Sequence, residues 1–473
     1  MSEPTNKLRL TEKICYGFGD LASCLFWQTI TFYLLFFYTD VFGLPAKAAG
    51  VMFFVSRVSD AIFDVVIGML ADRTRSRWGK FRPYLLWIAI PLGVSGVLAF
   101  TTPAFGDAGK VVYAYVTFIL FMFMYSAINI PYTALLGVIS SDPVERADAA
   151  TSKFIGAYLA GIIVSATALP LVKYLGGDNA SRGWQLTMGV FAVAAVVLFL
   201  ITFATTRERV QPIAKEKTSI GNDLKDLSKN VPWMLLFAVT ILFILFVCIR
   251  LNVTTHYFKY YIGEQEITLF GTTHKYGFEV LASAFNTVGQ LLSLVGVALV
   301  PVVARLLGRK RAAIVLFITA LICTGSYYLF KPQNLVLIFG FQVIGSIVGG
   351  PISALLWLMY ADTADHSEWK TGRRATGLVF SASIMSNKLG WAIGSMIAAV
   401  ILDKTGFIPN VIQNADVKEG LKDMMSIIPT GVGLIALILL FFYPLNERLM
   451  DKVKTELEER RKQSGETPAV AQA

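Results

Sequence analysis

The chain has 473 residues, of which 55% are hydrophobic and only 16% are charged, and its formal net charge is +10 at pH 7. Because a soluble domain carries about 25% charged residues, this composition excludes a soluble enzyme and a disordered chain. The apolar runs are continuous and long enough for about twelve spans of ~20 residues, which excludes a single-pass receptor and an outer-membrane barrel of alternating strands.

We predict an all-α membrane protein with twelve transmembrane helices, at residues 14–39, 47–71, 83–102, 111–139, 147–174, 183–205, 232–262, 277–304, 312–330, 334–361, 375–402 and 424–446. Of the 42 Lys and Arg residues, 28 lie in the N-terminal segment, the even-numbered loops and the C-terminal tail, and 10 lie in the odd-numbered loops or at the span ends that border them. Basic residues concentrate on the cytoplasmic side, so both termini are predicted to be cytoplasmic. Since the positive charge is explained in this way, we expect no nucleic-acid partner, and we expect no cleaved signal peptide.

A long hydrophilic segment from Thr206 to Asn230 separates the first six predicted helices from the last six. The predicted organisation is a cytoplasmic N-terminus (1–13), an N-terminal six-helix bundle (14–205), a central cytoplasmic loop (206–231), a C-terminal six-helix bundle (232–446) and a cytoplasmic tail (447–473). Two bundles around a site at the membrane midplane are typical of the major facilitator fold. The alternative is a twelve-helix protein of another fold.

The second predicted helix carries Arg57, Asp60 and Asp64, which are three and four residues apart and so share one helix face. An ionised side chain at the bilayer centre costs at least ~2.5–3.5 kcal/mol. Two carboxylates one turn apart repel each other where the dielectric constant is low, which favours a proton or a cation between them. This spacing therefore predicts a proton or sodium site. The alternative is an Arg–Asp network that only holds helices together.

Charged residues also mark a predicted cytoplasmic gate. The segment Gly68-x-x-x-Asp72-Arg73 resembles the motif of loop 2–3 in the major facilitator superfamily, and the end of predicted helix 10 carries opposite charges. We expect these charges to pair when the carrier faces outward and to separate when it opens inward. The alternative is that the basic residues only follow the general concentration of positive charge on the cytoplasmic side and have no partners. The predicted gating residues are Arg57, Asp72, Arg73, Arg75, Asp365, Glu368, Arg373 and Arg374.

Helix 4 presents Ser126, Asn129 and Thr133 on one face, with Pro131 between them. A proline frees a backbone carbonyl and kinks the span, which suits the lining of a water-filled cavity. The alternative is that these polar side chains form hydrogen bonds that only hold neighbouring helices together.

Basic residues in helices 5, 7 and 11 complete the candidate substrate site. Lys153 and Lys388 have no acid within one turn of their own helices, so each needs a partner elsewhere, although Lys153 could instead extend to the membrane edge. Arg250 precedes a polar and aromatic segment that contains Tyr257 and suits sugar recognition. The alternative is an interfacial tyrosine belt, which we prefer for Tyr260 and Tyr261.

Residues that could support enzymatic chemistry are sparse. The histidines are His256, His274 and His366, and none is spaced for a metal site or for nucleophilic catalysis. All four cysteines fall in predicted apolar spans, where their spacing indicates neither a metal site nor a disulfide framework. We therefore expect no enzyme, no structural metal and no cofactor other than a co-transported H⁺ or Na⁺.

Several motifs together resemble the glycoside–pentoside–hexuronide:cation symporter family. They are Tyr16–Asp20 (YGFGD), Tyr38–Gly43 (YTDVFG), Arg57-x-x-Asp60-x-x-x-Asp64, Asp72–Pro83 (DRTRSRWGKFRP), Asn129–Pro131 (NIP) and Ala361–Gly372 (ADTADHSEWKTG). The similarity covers the chain to about residue 446. It implies the major facilitator fold, a multi-pass location in the plasma membrane (the bacterial inner membrane), and import of a sugar or glycoside with H⁺, Na⁺ or Li⁺.

The resemblance also implies residue roles. Asp60 and Asp64 match the cation-binding carboxylates of the family, and Ser126 falls at a cation-site threonine of the melibiose branch. Lys388 matches a helix 11 lysine that links the sugar and cation sites, and Lys153 matches a helix 5 arginine. The residues proposed for substrate binding are Asp20, Cys24, Asn129, Thr133, Lys153, Arg250, Tyr257, Lys388 and Trp391.

Departures from the family pattern affect the predicted specificity. Phe63 replaces an asparagine that supplies an oxygen to the cation, which favours H⁺ over Na⁺. Cys24 and Asn129 replace two acids that bind galactosides in the melibiose branch. Because four bases and three acids lie within the predicted spans away from the span ends, we expect a preference for an acidic sugar such as a hexuronide. The alternative is a near-neutral site for a β-glycoside or xyloside.

The overall prediction is a cation-coupled symporter, functional as a monomer in the lipid bilayer, that imports a sugar or glycoside by alternating access. Two other functions remain open. One is a symporter of a lysolipid-like amphiphile, which would need a wider and more apolar cavity. The other is a sensor that binds sugar without transporting it.

Overall fold

The computed structural model describes residues 7–210, 230–269, 272–371 and 376–463. By contacts between residues, the chain divides into two compact units. Unit 1 comprises Met1–Lys215, Leu251–Leu291 and Ser395–Lys422, and unit 2 comprises Glu216–Arg250, Leu292–Gly394 and Asp423–Ala473. This division differs from the two predicted six-helix bundles, whose boundaries stay a prediction. Most of the predicted central loop lies outside the described residues.

The first part of unit 1 is entirely helical. Its helices are α1 (Leu10–Phe36), which continues into a π-helical turn (Phe37–Val41), α2 (Ala46–Arg73), α3 (Arg82–Trp87), α4 (Ala89–Ala99), α5 (Asp107–Leu135), α6 (Pro143–Gly176) and α7 (Ala180–Thr205). Helix α1 packs against α6 and α7, whereas α2 packs against α5. These two packings position the candidate site.

The rest of the chain adds nine helices and one hairpin among the described residues. The helices are α8 (Val231–His256), which continues into a second π-helical turn (Tyr257–Ile262), α9 (Phe278–Ala298), α10 (Val300–Leu307), α11 (Arg309–Ser326), α12 (Leu335–Thr371), α13 (Thr376–Lys404), α14 (Ala415–Met425), α15 (Ile427–Phe441) and α16 (Glu447–Gln463). A 3₁₀ turn (Tyr327–Leu329) follows α11. The antiparallel hairpin consists of β1 (Gln265–Leu269) and β2 (Thr272–Tyr276) and pairs Gln265 with Tyr276.

Ten helices in the described part of the chain are long and apolar enough to cross a membrane. Helix α2 has 28 residues, but the charges of Arg57, Asp60 and Asp64 keep it outside that group. The third predicted span is broken near Ile88 into α3 and α4, and α4 has only 11 residues. The count of twelve spans and the location of the termini therefore stay predictions.

Local sequence signals explain the start and the packing of α6. The Asp142 carboxylate accepts a hydrogen bond from the Val144 N–H at 2.9 Å, and Pro143 occupies the first turn, which together favour helix initiation. Further along, a Cβ added at Gly156 would lie 3.2 Å from the Leu21 backbone nitrogen of α1. Small residues allow such close contact between helices, and this contact brings Lys153 of α6 next to α1.

In both units a glutamate carboxylate lies against a positive-φ glycine near the start of a helix. In unit 1 the Glu208 carboxylate accepts hydrogen bonds from the backbone N–H groups of Lys80, Phe81 and Arg82 at 2.9, 2.7 and 2.9 Å. It lies where a Cβ at Gly79 would be, and Gly79 has φ +110°. These N–H groups have no partner within a helix, so the carboxylate fixes the loop after α2.

In unit 2 the corresponding glycine is Gly308, which precedes α11 and has φ +78°. The Glu447 carboxylate occupies the space that a Cβ at Gly308 would need. The Lys310 ammonium group donates to the carbonyl oxygens of Phe441 and Tyr443 at 3.0 and 2.6 Å. The two units thus repeat one arrangement, a positive-φ glycine before basic residues with an acid from a later segment beside it.

Candidate functional site

The predicted cation-binding residues meet between α2 and α5 in unit 1. The Ser126 hydroxyl lies 2.6 Å from a carboxylate oxygen of Asp60 and 3.0 Å from one of Asp64. Asp60 is buried, with 4% of its surface exposed, and Asp64 is half-buried. The predicted common face of helix 2 is therefore present. Because a hydroxyl has one proton, Ser126 can donate to only one of the two carboxylates at a time.

Arg57, predicted among the gating residues, lies beside a tryptophan that the sequence analysis did not select. Its guanidinium carbon is 4.3 Å from the centroid of the Trp27 ring. The Trp27 ring in turn stacks on Tyr125, with centroids 5.4 Å apart and ring planes 24° apart. Trp27 follows Cys24 by three residues on α1 and so shares its helix face, which is the signal that could have identified it.

Phe63 contacts another aromatic ring at the position where the family pattern has an asparagine. Its ring meets that of Phe123 edge to face, with centroids 5.1 Å apart. An aromatic pair of this kind is a favourable apolar contact. The Phe63 side chain therefore supplies no oxygen ligand to a cation.

A second polar group joins α1, α5 and α6. The Lys153 ammonium group lies 3.8 Å from an Asp20 carboxylate oxygen and 3.3 Å from the Thr133 hydroxyl. The Cys24 thiol donates to Asp20 at 3.9 Å. Lys153 thus finds its acidic partner on α1 and does not extend to the membrane edge. Close by, the Ser23 hydroxyl donates to the Asn129 side-chain oxygen at 3.2 Å.

The other predicted substrate residues lie elsewhere in the chain. Tyr257 is buried in unit 1 and stacks on Tyr261 with centroids 5.0 Å apart. In unit 2, Arg250 donates to the Thr324 hydroxyl at 3.2 Å and lies 5.1 Å from the Tyr327 ring. Trp391 packs against the apolar core of unit 2, and Lys388 is half-buried on α13. The proposed substrate residues are therefore divided between the two units.

The predicted gate is described only in part. Asp72, Arg73 and Arg75 line a cavity of about 880 Å³ together with Glu208 and Arg209. Asp365 and Glu368 lie on α12 in unit 2, and Arg373 and Arg374 lie outside the described residues. The predicted pairing between the two groups of charges stays a prediction.

Arg209 fixes one wall of that cavity. Its guanidinium donates to both carboxylate oxygens of Glu12, at 2.6 and 2.9 Å. This hydrogen bond raises the pKa of the Arg209 guanidinium above its ordinary value. The segment after α7 is thereby tied to the start of α1.

A buried acid network that the sequence analysis missed lies in unit 1, where α1 and α8 end in π-helical turns. Asp40 is 7% exposed. Its carboxylate accepts hydrogen bonds from the Lys259 ammonium group at 2.8 Å and from the Tyr260 hydroxyl, and it lies 3.2 Å from His256 Nε2. The Tyr260 hydroxyl thus has a partner within the protein, and its interpretation as an interfacial belt residue stays a prediction.

Asn410, from the segment after α13, closes the network. Its side-chain amide donates to the Asp40 carbonyl oxygen at 2.7 Å, and its backbone N–H donates to the Tyr260 hydroxyl at 2.8 Å. Its side-chain oxygen accepts from Lys259 at 2.7 Å. Asn410 has φ +60°, a conformation that asparagine tolerates better than most residues. Two features of the sequence could have indicated this network, namely the YTDVFG motif and the polar segment from Arg250 to Tyr261.

Comparison with known proteins places residues 15–447 in a family described as MFS/sugar transport protein. The chain is 35% identical to the isoprimeverose transporter of Lactiplantibacillus pentosus, over 97% of this chain and 93% of the relative. It is also 35% identical to a putative glycoside/cation symporter of Escherichia coli, YagG, over 97% of both chains. A glucuronide carrier protein homologue of the same species is 32% identical, over 94% of this chain and 95% of the relative.

Solved structures support the fold. A D-xylose–proton symporter superposes with a TM-score of 0.63 at 14% sequence identity, over 92% of this chain and 98% of that chain. At this identity the likeness concerns the helical architecture, which is that of the major facilitator superfamily.

Proposed function

The chain belongs to the glycoside–pentoside–hexuronide:cation symporter family of the major facilitator superfamily, and from this premise we propose that it imports a glycoside together with a proton bound at Asp60 and Asp64. The family is one of transporters, and the chain is a multi-pass protein of the bacterial inner membrane. The observation that carries the proposal is the position of one hydroxyl, that of Ser126, between two carboxylates. We propose one chain as the transport unit.

The arrangement around Ser126 is suited to binding a cation. One hydroxyl proton serves two carboxylates, so one of them lacks that hydrogen bond at any moment. Their repulsion is strong where the dielectric constant is low. A bound cation removes this repulsion, so the loaded and empty carriers differ in charge near α2 and α5. A ligand shifts a conformational equilibrium only through such a difference in affinity.

The coupling ion we propose is H⁺. Sodium is bound by several oxygens. Phe63 has no side-chain oxygen, and its ring packs against Phe123. A proton needs only one carboxylate oxygen and its hydrogen-bond partner. The proposed roles of Asp60, Asp64 and Ser126 apply to either ion.

The sugar would contact the polar group formed by Asp20, Asn129, Thr133 and Lys153. The expectation of an acidic sugar came from a sum of charges over all spans, which included both Lys153 and Asp20. Within this polar group the Lys153 ammonium group lies 3.8 Å from Asp20, so these two charges offset each other. This ion pair favours a neutral glycoside, and we propose a neutral glycoside as the substrate. The hexuronide preference stays a prediction that the same experiment tests.

The cation assignment is tested by uptake of radiolabelled glycosides into vesicles under imposed pH and Na⁺ gradients. Asp60→Asn and Asp64→Asn should abolish uphill accumulation, because the carboxylate that takes up the ion is removed. Asp107→Asn, at the exposed start of α5, is the matched control and should accumulate sugar as the wild type does. Unimpaired accumulation by the Asp60 or Asp64 variant would refute the assignment, and ligand binding without flux would indicate a sensor.

The charge of the substrate is tested by competition binding. A glucuronide and the glucoside with the same aglycone should compete differently, and the proposal expects tighter binding of the glucoside. Tighter binding of the glucuronide would overturn the neutral-substrate proposal and support the acidic-sugar prediction. A lysolipid that competes better than both would indicate the amphiphile symporter.

A further inference from the structure

Trp27 connects the residues proposed for cation binding to helix α1. The Arg57 guanidinium carbon lies 4.3 Å from its ring centroid, and Tyr125 stacks on the same ring. Arg57 lies three residues before Asp60 on the same face of α2, and Tyr125 directly precedes Ser126 on α5. Trp27 therefore contacts a neighbour of each part of the proposed cation site, although no predicted site included it.

The face of an indole ring attracts a guanidinium group, more strongly where water is excluded. Arg57 is also close in sequence to two carboxylates that attract it, and a proton or a cation at those carboxylates reduces that attraction. Stacking on Trp27 provides a favourable position for Arg57 when the carboxylates are neutralised. The ring thereby lowers the free energy of the cation-loaded state relative to the empty one.

We propose that Trp27 is a positioning residue of the cation site, which holds the Arg57 guanidinium by its ring face and so sets the affinity of Asp60 and Asp64 for the coupling ion. The inference rests on the proposed function. It assigns no contact with the sugar to Trp27, because its ring is engaged by Arg57 and Tyr125.

The test compares Trp27→Leu with Trp27→Phe and measures the ion concentration that gives half-maximal glycoside uptake. Without the ring face, Arg57 loses its stacking contact, so its attraction to the two carboxylates competes more strongly with the ion. We expect the half-saturating ion concentration to rise about tenfold for the leucine variant and about two- to threefold for the phenylalanine variant, because phenylalanine is the weaker cation–π partner. The half-saturating sugar concentration at saturating ion should stay within about twofold of the wild type.

Two controls separate this role from packing. Trp87→Leu replaces a tryptophan that is 47% exposed and should leave both constants unchanged. In an Arg57→Gln background, Trp27→Leu should have no further effect on the ion dependence, because residues that act through one contact are not additive. If the leucine variant does not reach the membrane, Trp27→Tyr and Trp27→Phe provide a graded series.

Three results would overturn the inference. One is an unchanged ion dependence in Trp27→Leu or throughout the graded series, and another is a full further effect in the Arg57→Gln background. The third is a loss of sugar affinity at saturating ion with no change in ion dependence, which would make Trp27 a wall of the sugar site. Failure of the proposed function would give a different result. In that case uptake by the wild type itself would depend on no cation.

Discussion

Asp40 and Asp60 are two buried aspartates of unit 1 that lie in different surroundings. Asp40 is 7% exposed and Asp60 is 4% exposed. Asp40 receives hydrogen bonds from Lys259 and Tyr260, each with its own proton, and lies against His256. Asp60 and Asp64 both lie within hydrogen-bond distance of the Ser126 hydroxyl, at 2.6 and 3.0 Å.

Burial alone therefore does not distinguish an acid that is held by basic partners from one that is proposed to bind the coupling ion. A buried charge is stable when partners compensate it, and removing one partner is strongly destabilising. The Asp40 site is compensated and joins the ends of α1 and α8 to the segment after α13. In the Ser126 site two acids of one helix face lie beside the same hydroxyl, and we propose that this site takes up the coupling ion.

The largest effect is expected for Asp40→Asn, which removes the negative charge that Lys259 and His256 face. The free energy of unfolding should fall by about 3–5 kcal/mol, the cost of an unpaired buried charge. Thermal unfolding of the purified protein in detergent measures it. Asp107→Asn, at an exposed position, is the control. The opposite result would contradict the contrast between the Asp40 and Ser126 sites. That result is an Asp40→Asn variant that unfolds at the wild-type temperature and an Asp60→Asn variant that is strongly destabilised.

A smaller effect, on ion dependence rather than stability, is expected for Ser126→Ala. Without the hydroxyl, the two charged carboxylates lose a hydrogen bond worth about 1.5–3 kcal/mol to the charged form. Proton binding should tighten, so half-maximal uptake should move to higher pH. Ser126→Thr keeps the hydroxyl and should retain the wild-type pH profile. Coinciding profiles of the alanine variant and the wild type would show that the hydroxyl does not tune this site.

Glu208→Gln tests whether a second carboxylate with several hydrogen-bond donors behaves as Asp40 does. Glu208 accepts from three backbone N–H groups, and in the glutamine variant one oxygen is replaced by an NH₂ group that cannot accept. The unfolding free energy should fall by about 1–3 kcal/mol, with unchanged ion dependence of uptake. A shifted ion dependence with full stability would mean that Glu208 belongs to the transport machinery.

The smallest effect is expected at the exposed pair of the hairpin. The Lys275 ammonium group lies 3.4 Å from the Glu266 carboxylate, and the two side chains are 72% and 62% exposed. Surface ion pairs contribute about 0–1 kcal/mol, so Lys275→Ala should change neither the unfolding temperature nor the uptake. A clear loss of stability would show that a hydrogen-bond donor stabilises even a carboxylate that is in contact with water.

Features confined to one helix could be predicted from the sequence. The spacing of Arg57, Asp60 and Asp64 defines one face of α2 because an α-helix has 3.6 residues per turn. The apolar runs define where most helices lie, since their length must match the bilayer. Motifs in loops identified the family that the comparisons confirm. These inferences need no knowledge of which helices are neighbours.

Contacts between distant segments were decided by the tertiary structure. Asn410 and Asp40 are 370 residues apart in the chain, and His256 lies 217 residues after Thr39. Periodicity places a residue on a face of its own helix but does not say which helix covers that face. For the same reason the sequence indicated that Lys153 needs an acidic partner but not that Asp20 is that partner, and it did not reveal Trp27. The sequence by itself thus determined the family, the position of most of the long apolar helices and the acidic face of α2, whereas packing between helices decided which side chains surround each carboxylate.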